Sequence, residues 1–479
     1  MFKKIRLIIY FLLMFLPLAS LSSKDNPKAS GILYDEVITS GVELWLTKAD
    51  ESVKFEKQAV IEIEDFKGDK NPVIEIDTTV EYQTIDGFGF ALTGGSAIML
   101  KQMSNESRSD ILKELFSTEV DNIGTSYIRL SIGASDLSDH VFSYDDLPPG
   151  DTDEEMEHFT LDEDRDDVIP IMQEILEINP DIKILGSPWS PPTWMKTNDS
   201  SVGGQLKPQF YDAYAKYFVK YIQGMAEEGI TIDAITVQNE PLHPGNNPSL
   251  LMHADQQAAF IKESLGPAFK EAEINTKIIV YDHNADRVDY PMSILDDKEA
   301  RIYVDGSAFH LYRGSINDLS DLHEAHPDKN LYFTEQWVGA PANFAGDFKW
   351  HIDNLIIGAT RNWCRNVIEW NLAADPNQDP HTEGGCTRCL GALTIDGNEV
   401  IRNPAFYIIA HASKFVRPGS VRIGSDLNKH LKNVAFKTPD GRKVVIVLND
   451  GADTSFSIKK GNKMITTSLD SGDVGTFIW

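Results

Sequence analysis

Two glutamates in the sequence each follow a short run of uncharged residues. Glu240 ends the segment Thr236-Val-Gln-Asn-Glu240, and Glu335 ends the segment Tyr332-Phe-Thr-Glu335. When two carboxyl groups face each other across a sugar, one can protonate the leaving oxygen while the other attacks or stabilises the anomeric carbon. The pair therefore predicts glycoside hydrolysis, provided that the fold brings both side chains together.

Tryptophans in similar places add a second feature of carbohydrate sites. Trp189 and Trp194 lie in the segment Ser187-Pro-Trp-Ser-Pro-Pro-Thr-Trp194, and Trp337 and Trp370 lie at the ends of other apolar runs. Flat aromatic faces can stack on sugar rings, although a single tryptophan more often belongs to a core. Because four of them occur near predicted strand ends, we interpret them as platforms around one rim.

Eight short apolar runs between Tyr82 and Asn371 alternate with longer segments of helical pattern. This alternation is typical of βα units around a parallel sheet, and eight units close a (β/α)8 barrel. The carboxyl ends of the strands surround the active site of such a barrel, so Glu240 on strand four and Glu335 on strand seven are predicted to meet there. The predicted strands are 84–90, 126–131, 182–187, 234–239, 277–281, 307–311, 331–335 and 367–371.

The sequence on both sides of the predicted barrel has a different pattern. After Lys414, short alternating runs are separated by turn signals such as Pro439-Asp-Gly441 and Lys460-Gly-Asn462, which predicts an all-β module. Strand-like runs also precede the barrel, and periodicity leaves open whether the two chain ends join in one domain. The runs are 41–47, 59–63 and 73–76 before the barrel, and 434–437, 443–449, 455–458 and 464–468 after it.

The composition excludes some classes of function. The chain of 479 residues has 44 Lys+Arg against 73 Asp+Glu, which gives a formal net charge of −29. Affinity for phosphate backbones comes mainly from clustered Lys and Arg, so we expect no nucleic-acid partner. Because 42% of the residues are hydrophobic, the chain can bury a large core, which argues against disorder.

The first residues have the layout of a secretory signal peptide. Residues 1–6 are basic, residues 7–18 are uncharged and almost wholly apolar, and residues 19–23 are small or polar. A membrane span is the alternative, but twelve helical residues extend only about 18 Å, less than the ~30 Å hydrocarbon core. We predict export to the periplasm or extracellular space, without stable membrane insertion or an obligate protein partner.

The three cysteines of the chain are Cys364, Cys386 and Cys389. The pair Cys386-Thr-Arg-Cys389 is compatible with a loop disulfide, two free thiols, a redox motif or half of a metal site. A metal site normally needs four ligands, and no second Cys/His pair with suitable spacing follows. We therefore favour a loop disulfide or two free thiols, and we predict no metal and no cofactor.

Several of these motifs, taken in order, resemble glycoside hydrolase family 30, the glucosylceramidase family, from about Tyr82 to Trp479. The resemblance implies an α/β fold, a (β/α)8 TIM barrel fused to an all-β sandwich built from both chain ends, and a retaining mechanism on β-linked sugars. The matching motifs are Gly87-Phe-Gly-Phe-Ala-Leu-Thr93, Ser187-Pro-Trp-Ser-Pro-Pro-Thr-Trp-Met-Lys196, Thr236-Val-Gln-Asn-Glu-Pro241, Phe309-His-Leu-Tyr312, Phe333-Thr-Glu335 and Glu369-Trp-Asn-Leu372.

The resemblance also implies residue roles. It makes Glu240 the acid/base and Glu335 the nucleophile, which requires a raised pKa at Glu240 and an ionised Glu335. His310 is expected to help hold Glu335 ionised, and its alternative is a satisfied core histidine. The predicted substrate-binding residues are Arg129, Trp189, Asn239, His310, Tyr312, Trp337 and Trp370.

These features give a predicted domain division of a signal peptide at 1–22, N-terminal sandwich strands at 30–80, a catalytic barrel at 82–410 and a C-terminal sandwich at 411–479. Gly94 stands where the glucosylceramidase pattern has an acidic residue, which weakens the case for a tight single-sugar pocket, and the loop 374–386 is long and polar. We therefore favour β-1,6-glucan or a related β-glucoside as the substrate.

Several alternatives stay open at this point. Within the same family, the substrate would be glucosylceramide or a β-xyloside. A catalytically inactive carbohydrate-binding barrel is the alternative from another class, because function depends on sites and not on folds. An inverting hydrolase would place the carboxyl groups ~6.5–9.5 Å apart instead of ~5–5.5 Å. A metal-dependent hydrolase is disfavoured because no His/Asp cluster with ligand spacing appears.

Overall fold

The computed structural model describes residues 41–68 and 70–479 of the chain. The predicted signal peptide at 1–22 lies outside the described residues, as does the part of the predicted 30–80 segment that precedes Gly41. Within the described residues, no helix combines the length and the apolar character needed to cross a bilayer.

Eight parallel strands close into a barrel, which confirms the predicted fold class. Each predicted strand overlaps an observed one, although the observed strand five continues three residues beyond the predicted end and strand four stops at Thr236. The barrel strands, in chain order, are Gly87–Leu92, Tyr127–Ile132, Lys183–Pro188, Ala234–Thr236, Lys277–Asn284, Val304–His310, Asn330–Glu335 and Cys364–Asn371.

Strand one shows why these residues form the barrel wall. All six of its residues are buried, as expected for a strand of a parallel sheet covered on both faces. Gly89 is required by close approach, because an added Cβ would lie 1.7 Å from the carbonyl oxygen of Tyr127 on strand two. The close contact between strands one and two sets the position of strand two, which carries Arg129.

Helices follow the strands and surround the barrel. The first two begin at side-chain caps, since the Thr93 and Ser104 side chains accept hydrogen bonds from the amides of Ser96 and Ser107. The α-helices are Gly94–Gln102, Asn105–Phe116, Val168–Ile178, Tyr211–Glu227, Ala254–Phe260, Gly266–Glu271, Asp289–Asp296, Leu319–Ala325, Phe344–His351 and Pro404–Ser413. Two π-helical segments, Ile261–Leu265 and Ile352–Ala359, continue helices of this set.

An eleven-stranded sheet contains strands from before and after the barrel. The strand Gly41–Thr47 pairs antiparallel with the last strand, Val474–Ile478, and Val73–Thr84 pairs with Val421–Ser425 and Thr454–Lys460. Strands from before and after the barrel therefore belong to one β-rich domain, as the resemblance implied. Its other strands are Glu56–Lys57, Ile61–Glu62, Glu64–Asp65, Leu431–Lys437, Lys443–Asn449 and Lys463–Leu469.

Small sheets on the carboxyl side of the barrel shape the rim. Val338–Gly339, after strand seven, pairs with Cys389–Leu390 in the loop that follows strand eight. Ala373–Ala374, Leu393–Asp396 and Glu399–Arg402 form a separate three-stranded sheet. The loop after strand eight is therefore tied back to strand seven, where Glu335 lies.

Candidate active site

Glu240 and Glu335 meet at the carboxyl end of the barrel. One carboxylate oxygen of Glu240 lies within 4.8 Å of one carboxylate oxygen of Glu335. Both residues are largely buried, with exposed fractions of 8% and 6%. Glu240 has a left-handed backbone conformation, φ 43°, and its amide donates to the carbonyl of Asp282 at 2.9 Å. This backbone turn after strand four directs the side chain of Glu240 into the barrel mouth.

Two donors hold the Glu335 carboxylate, one on each oxygen. The guanidinium Nη1 of Arg129 lies 2.5 Å from Oε2, and the hydroxyl of Tyr312 donates to Oε1 at 2.9 Å. Burial of the phenol oxygen and the charge of Glu335 raise the pKa of Tyr312 well above its ordinary value, so the hydroxyl remains a donor. Arg129 and Tyr312 therefore occupy the donor positions expected around Glu335.

Asp282 is a fully buried acid beneath the two glutamates, and it was missed by sequence reasoning. It pairs with Nη2 of Arg129 at 2.8 Å and accepts hydrogen bonds from the hydroxyls of Thr236, at 2.7 Å, and Thr334, at 2.6 Å. The charge of Arg129 and the bond to His310 hold the pKa of Asp282 far below its usual range, although burial opposes them. Its position at the end of strand five was the available signal.

His310 is completely buried and joins Glu240 to Asp282. Its Nδ1 lies 3.1 Å from Oε1 of Glu240 and 3.6 Å from Oε1 of Glu335, and its Nε2 lies 3.1 Å from Asp282. Burial opposes the charged imidazole, but the carboxylates of Glu335, Asp282 and Glu240 outweigh it and raise the pKa of His310 to about 9. Its principal partner is thus Glu240, whereas the sequence associated it with Glu335.

The pKa directions of the two glutamates differ from those that the sequence predicted. Burial alone would raise the pKa of Glu240, but the hydrogen bond and charge of His310 outweigh burial and lower it. Burial raises the pKa of Glu335, even though His310 and Arg129 oppose this effect. The reason is that His310, which the sequence placed against Glu335, lies closer to Glu240.

Strand five contributes two further polar side chains beside Asp282. His283 Nε2 lies 3.8 Å from Oε1 of Glu240, and burial lowers the pKa of His283 to about 4, so the ring is neutral at neutral pH. The side-chain oxygen of Asn284 accepts the amides of Tyr312, at 2.8 Å, and Arg313, at 3.2 Å. Asn284 therefore fixes the turn that carries the Tyr312 hydroxyl to Glu335.

Three of the four tryptophans line the cavity above the carboxylates. The rings of Trp189 and Trp370 stack with centroids 5.2 Å apart, and the Arg129 guanidinium lies 4.9 Å from the Trp189 ring. Trp337 lines the same cavity. Trp194 does not, and its interpretation as a platform is wrong. It packs against Phe210 in the core, with its indole N–H donating to the carbonyl of Asp145.

The cavity has a volume of about 570 Å³ and contains both glutamates. Asn239 lines it, and its side-chain oxygen accepts from Arg129 at 2.8 Å. Arg129 and His310 lie beneath the cavity surface and contact the glutamates directly. The sequence-predicted residues therefore form two layers, of which only the upper one faces the cavity.

Asp136, on the loop after strand two, supplies a third carboxyl group to the cavity. Burial, with the charges of Glu335 and Glu240, raises its pKa to about 7. The acidic residue that is absent at position 94 thus has a counterpart in Asp136, which reaches the cavity from a different loop. The signal was present in the segment Gly133-Ala-Ser-Asp-Leu137, which directly follows the Arg129 strand.

Cys386 and Cys389 form a disulfide, and both line the cavity. This confirms the loop disulfide among the alternatives that the sequence left open. Cys364 is a buried free thiol in strand eight, and burial raises its pKa.

In the part of the chain that the structure describes, two groups of side chains have potential metal-ligand atoms within 4.8 Å of one another. One contains Glu240, His310 and Glu335, where a cation would compete with the Arg129 guanidinium and with the proton on His310. The other contains Asp145, Asp153 and His158, of which His158 is exposed. The first group is thus arranged for proton chemistry, with positive charge supplied by the protein itself.

Comparison with family models covers most of the chain. Residues 85–416 match the model described as the glycosyl hydrolase family 30 TIM-barrel domain. Residues 419–477 match the model described as the glycosyl hydrolase family 30 beta sandwich domain. Together the two matches include Glu240, Glu335 and the other residues of the candidate site.

Relatives of known description are similar over nearly the same length. An endo-1,6-beta-D-glucanase of Neurospora crassa is 34% identical over 417 residues, covering 82% of each chain. The lysosomal acid glucosylceramidase of Mus musculus is 29% identical over 432 residues, covering 83% of this chain and 82% of the relative. Among solved structures, the endo-beta1,6-glucanase BT3312 superposes with a TM-score of 0.86 at 36% identity, covering 92% of this chain and 99% of that one.

Proposed function

The chain belongs to glycosyl hydrolase family 30, and on that premise we propose that it is a retaining endo-β-1,6-glucanase with Glu335 as nucleophile and Glu240 as acid/base. The single observation that carries the retaining mechanism is the separation of less than 4.8 Å between one oxygen of each carboxylate. Inverting enzymes hold their carboxyl groups ~6.5–9.5 Å apart to admit a water molecule, whereas retaining enzymes use ~5–5.5 Å.

The first step forms a covalent glycosyl-enzyme. A Glu335 oxygen attacks the anomeric carbon, the bond from that carbon to the glycosidic oxygen breaks, and Glu240 gives its proton to the departing oxygen. Two carboxylates this close share a single proton, since like charges at short range disfavour double ionisation. The donors Arg129 and Tyr312 on Glu335 favour the arrangement with the proton on Glu240, whereas His310 opposes it.

The second step releases the sugar with its original anomeric configuration. Glu240, now ionised, takes a proton from water, and the water oxygen bonds to the anomeric carbon as the bond to Glu335 breaks. His310 and Asp282 support this change of role, because a protonated imidazole beside Glu240 stabilises its ionised form. Asp282 in turn holds the positive charges of His310 and Arg129 in place.

The residues that line the cavity are of the types that bind a glucose unit, and we place that unit beside the carboxylates. Trp189, Trp337 and Trp370 offer apolar faces for a sugar ring, and Asp136 and Asn239 offer polar atoms for its hydroxyl groups. The β-1,6-linkage is proposed on the similarity to the two endo-1,6-glucanases. Glucosylceramide is the second candidate, favoured by the similarity to the lysosomal enzyme.

Export is part of the proposal. The basic start and the apolar run at residues 7–18 support it, and so does the disulfide, because such bonds persist in oxidising compartments.

The experiment is an assay of the purified protein on linear β-1,6-glucan, laminarin-type β-1,3-glucan, an aryl β-xyloside and glucosylceramide. Proton NMR of the first product tests the mechanism, and the β-anomer is expected before mutarotation. Oligosaccharides from β-1,6-glucan are the expected products. An initial α-anomer would overturn the retaining mechanism, and turnover of glucosylceramide without turnover of the glucan would overturn the substrate.

A further inference from the structure

The loop after strand eight contacts the loops that follow strands two, four and seven. The amide of Thr382 donates to the carbonyl of Asp136 at 3.0 Å, and the Thr382 hydroxyl donates to the carbonyl of Asn247 at 2.6 Å. Asp136 belongs to the loop after strand two, and Asn247 to the loop after strand four. Residues Glu383, Gly384, Thr387 and Arg388 in this loop are exposed, so apolar packing contributes little to its shape.

The Cys386 end of the disulfide lies against Asp136. Asp136 and Cys386 both line the cavity. Burial raises the pKa of Asp136, and the backbone amide of Cys386 opposes this effect. The neighbouring Gly385 leaves no room for a side chain, since an added Cβ would lie 2.3 Å from the Asp136 carbonyl oxygen. A displacement of Cys386 and Gly385 would therefore shift Asp136, whose carboxyl group lines the cavity.

The Cys389 end lies against the tryptophan wall. Cys389 pairs with Gly339, and an added Cβ on Gly339 would lie 3.3 Å from the Trp337 ring. Cys389 is also buried in one cluster with Trp189 and Trp370, against which Trp337 packs. The disulfide thus connects the polar side of the cavity to its aromatic side, and its two cysteines are only three residues apart in sequence.

We propose that the Cys386–Cys389 disulfide is a positioning element of sugar binding, which fixes the Asp136 carboxyl group and the Trp337 ring in one wall of the pocket. This inference rests on the proposed function. The disulfide takes no part in the hydrogen bonds that hold Glu240 and Glu335. Cleavage of the glycosidic bond by these two residues therefore does not require the disulfide. Loss of the bridge is expected to weaken substrate binding while the chemical step continues.

The test compares the wild type with the double variant Cys386→Ser, Cys389→Ser. On an activated aryl β-glucoside and on a β-1,6-linked glucose trisaccharide, KM is expected to rise about tenfold, the scale of one hydrogen bond to a charged group, with kcat within about threefold. The matched control, Cys364→Ala, removes a cysteine outside the cavity and should change neither constant beyond about twofold. An unchanged KM, or a fall in kcat as large as the rise in KM, would overturn the proposal.

A second measurement tests the proposal without the double variant, in case that variant does not fold. Dithiothreitol applied to the folded wild type should raise KM as the double substitution does, and reoxidation should restore it, with the far-UV circular dichroism unchanged. Calorimetric titration of the trisaccharide into Glu335→Gln, with and without the bridge, gives affinity independently of turnover. Equal affinities would overturn the inference. A wild type inactive on every glucoside would instead refute the proposed function, whatever the bridge does.

Discussion

A carboxylate oxygen of Asp282 lies 2.8 Å from Nη2 of Arg129, and neither side chain is exposed to solvent. The other terminal nitrogen of the same guanidinium lies 2.5 Å from Glu335. Because the guanidinium is planar and rigid, Asp282 fixes the direction from which Arg129 donates to the proposed nucleophile. Asp282, which does not line the cavity, therefore controls the geometry of the contacts around Glu335, which does.

Replacing Asp282 by Asn should affect both stability and turnover. The change leaves Arg129 and His310 buried with one counter-charge fewer, and breaking a buried ion pair costs roughly 3–5 kcal/mol. Chemical denaturation should show a loss of that order in the free energy of unfolding, together with a lower kcat. Asp328→Asn is the matched control, since its pair with Arg301 is largely exposed and should contribute less than about 1 kcal/mol. Equal losses in the two variants would contradict this account.

Glu335→Gln and Glu240→Gln should each abolish most activity without unfolding the protein. Loss of general acid–base catalysis typically costs 10²–10⁴-fold, and loss of the nucleophile removes the covalent route altogether. Azide should restore turnover of activated aryl glucosides by Glu240→Ala and give a β-glycosyl azide. It should give an α-glycosyl azide with Glu335→Ala. Kinetics and NMR of the azide product assign the roles, and the reverse pattern would exchange them.

Tyr312→Phe isolates one hydrogen bond to Glu335. The variant keeps the ring and deletes the hydroxyl that donates to Oε1 at 2.9 Å. A donor to the ionised form lowers a carboxyl pKa, so its removal should move the acidic limb of the kcat/KM profile to higher pH. We expect kcat/KM to fall by about ten- to a hundredfold, with the melting temperature within a few degrees of wild type, because the ring is partly exposed. An unshifted acidic limb would show that the hydroxyl does not act on Glu335.

His310 should give the folded protein a pH dependence on the alkaline side. Its pKa is raised to about 9 in the folded state, above the ordinary value near 6.5 in the unfolded chain. The stabilisation is therefore fully present below about pH 6.5 and is lost as the pH rises through 9. The loss is at most ~3 kcal/mol, from about 2.5 pH units at 1.36 kcal/mol each.

The measurement is the free energy of unfolding in urea between pH 6 and 10, for the wild type and His310→Gln. The wild type should lose more stability than the variant over this interval. Parallel curves would mean that the pKa of His310 is not raised in the folded protein, and its proposed support of ionised Glu240 would then fail.

The motifs alone located much of the candidate site, because Glu240, Glu335, Trp189 and Trp370 stand at or just beyond the ends of runs that the sequence predicted as strands. Local patterns of this kind reflect burial on both faces of a parallel sheet. Strand five shows the limit. Its apolar run stops at Tyr281, while the observed strand continues through Asp282 to Asn284, so the buried acid that joins Arg129 to His310 lay just outside the prediction.

The barrel, the β-rich segments on both sides of it and the pair of glutamates could be predicted from the chain, since periodicity and motif order are local properties. The folded structure was needed to learn which glutamate His310 contacts, whether Trp194 reaches the cavity, and that Asp136 and the disulfide line it. These relationships depend on the relative positions of loops from different strands. Hydrophobic patterning does not encode such positions, because it records only which residues are buried and not which polar groups they meet.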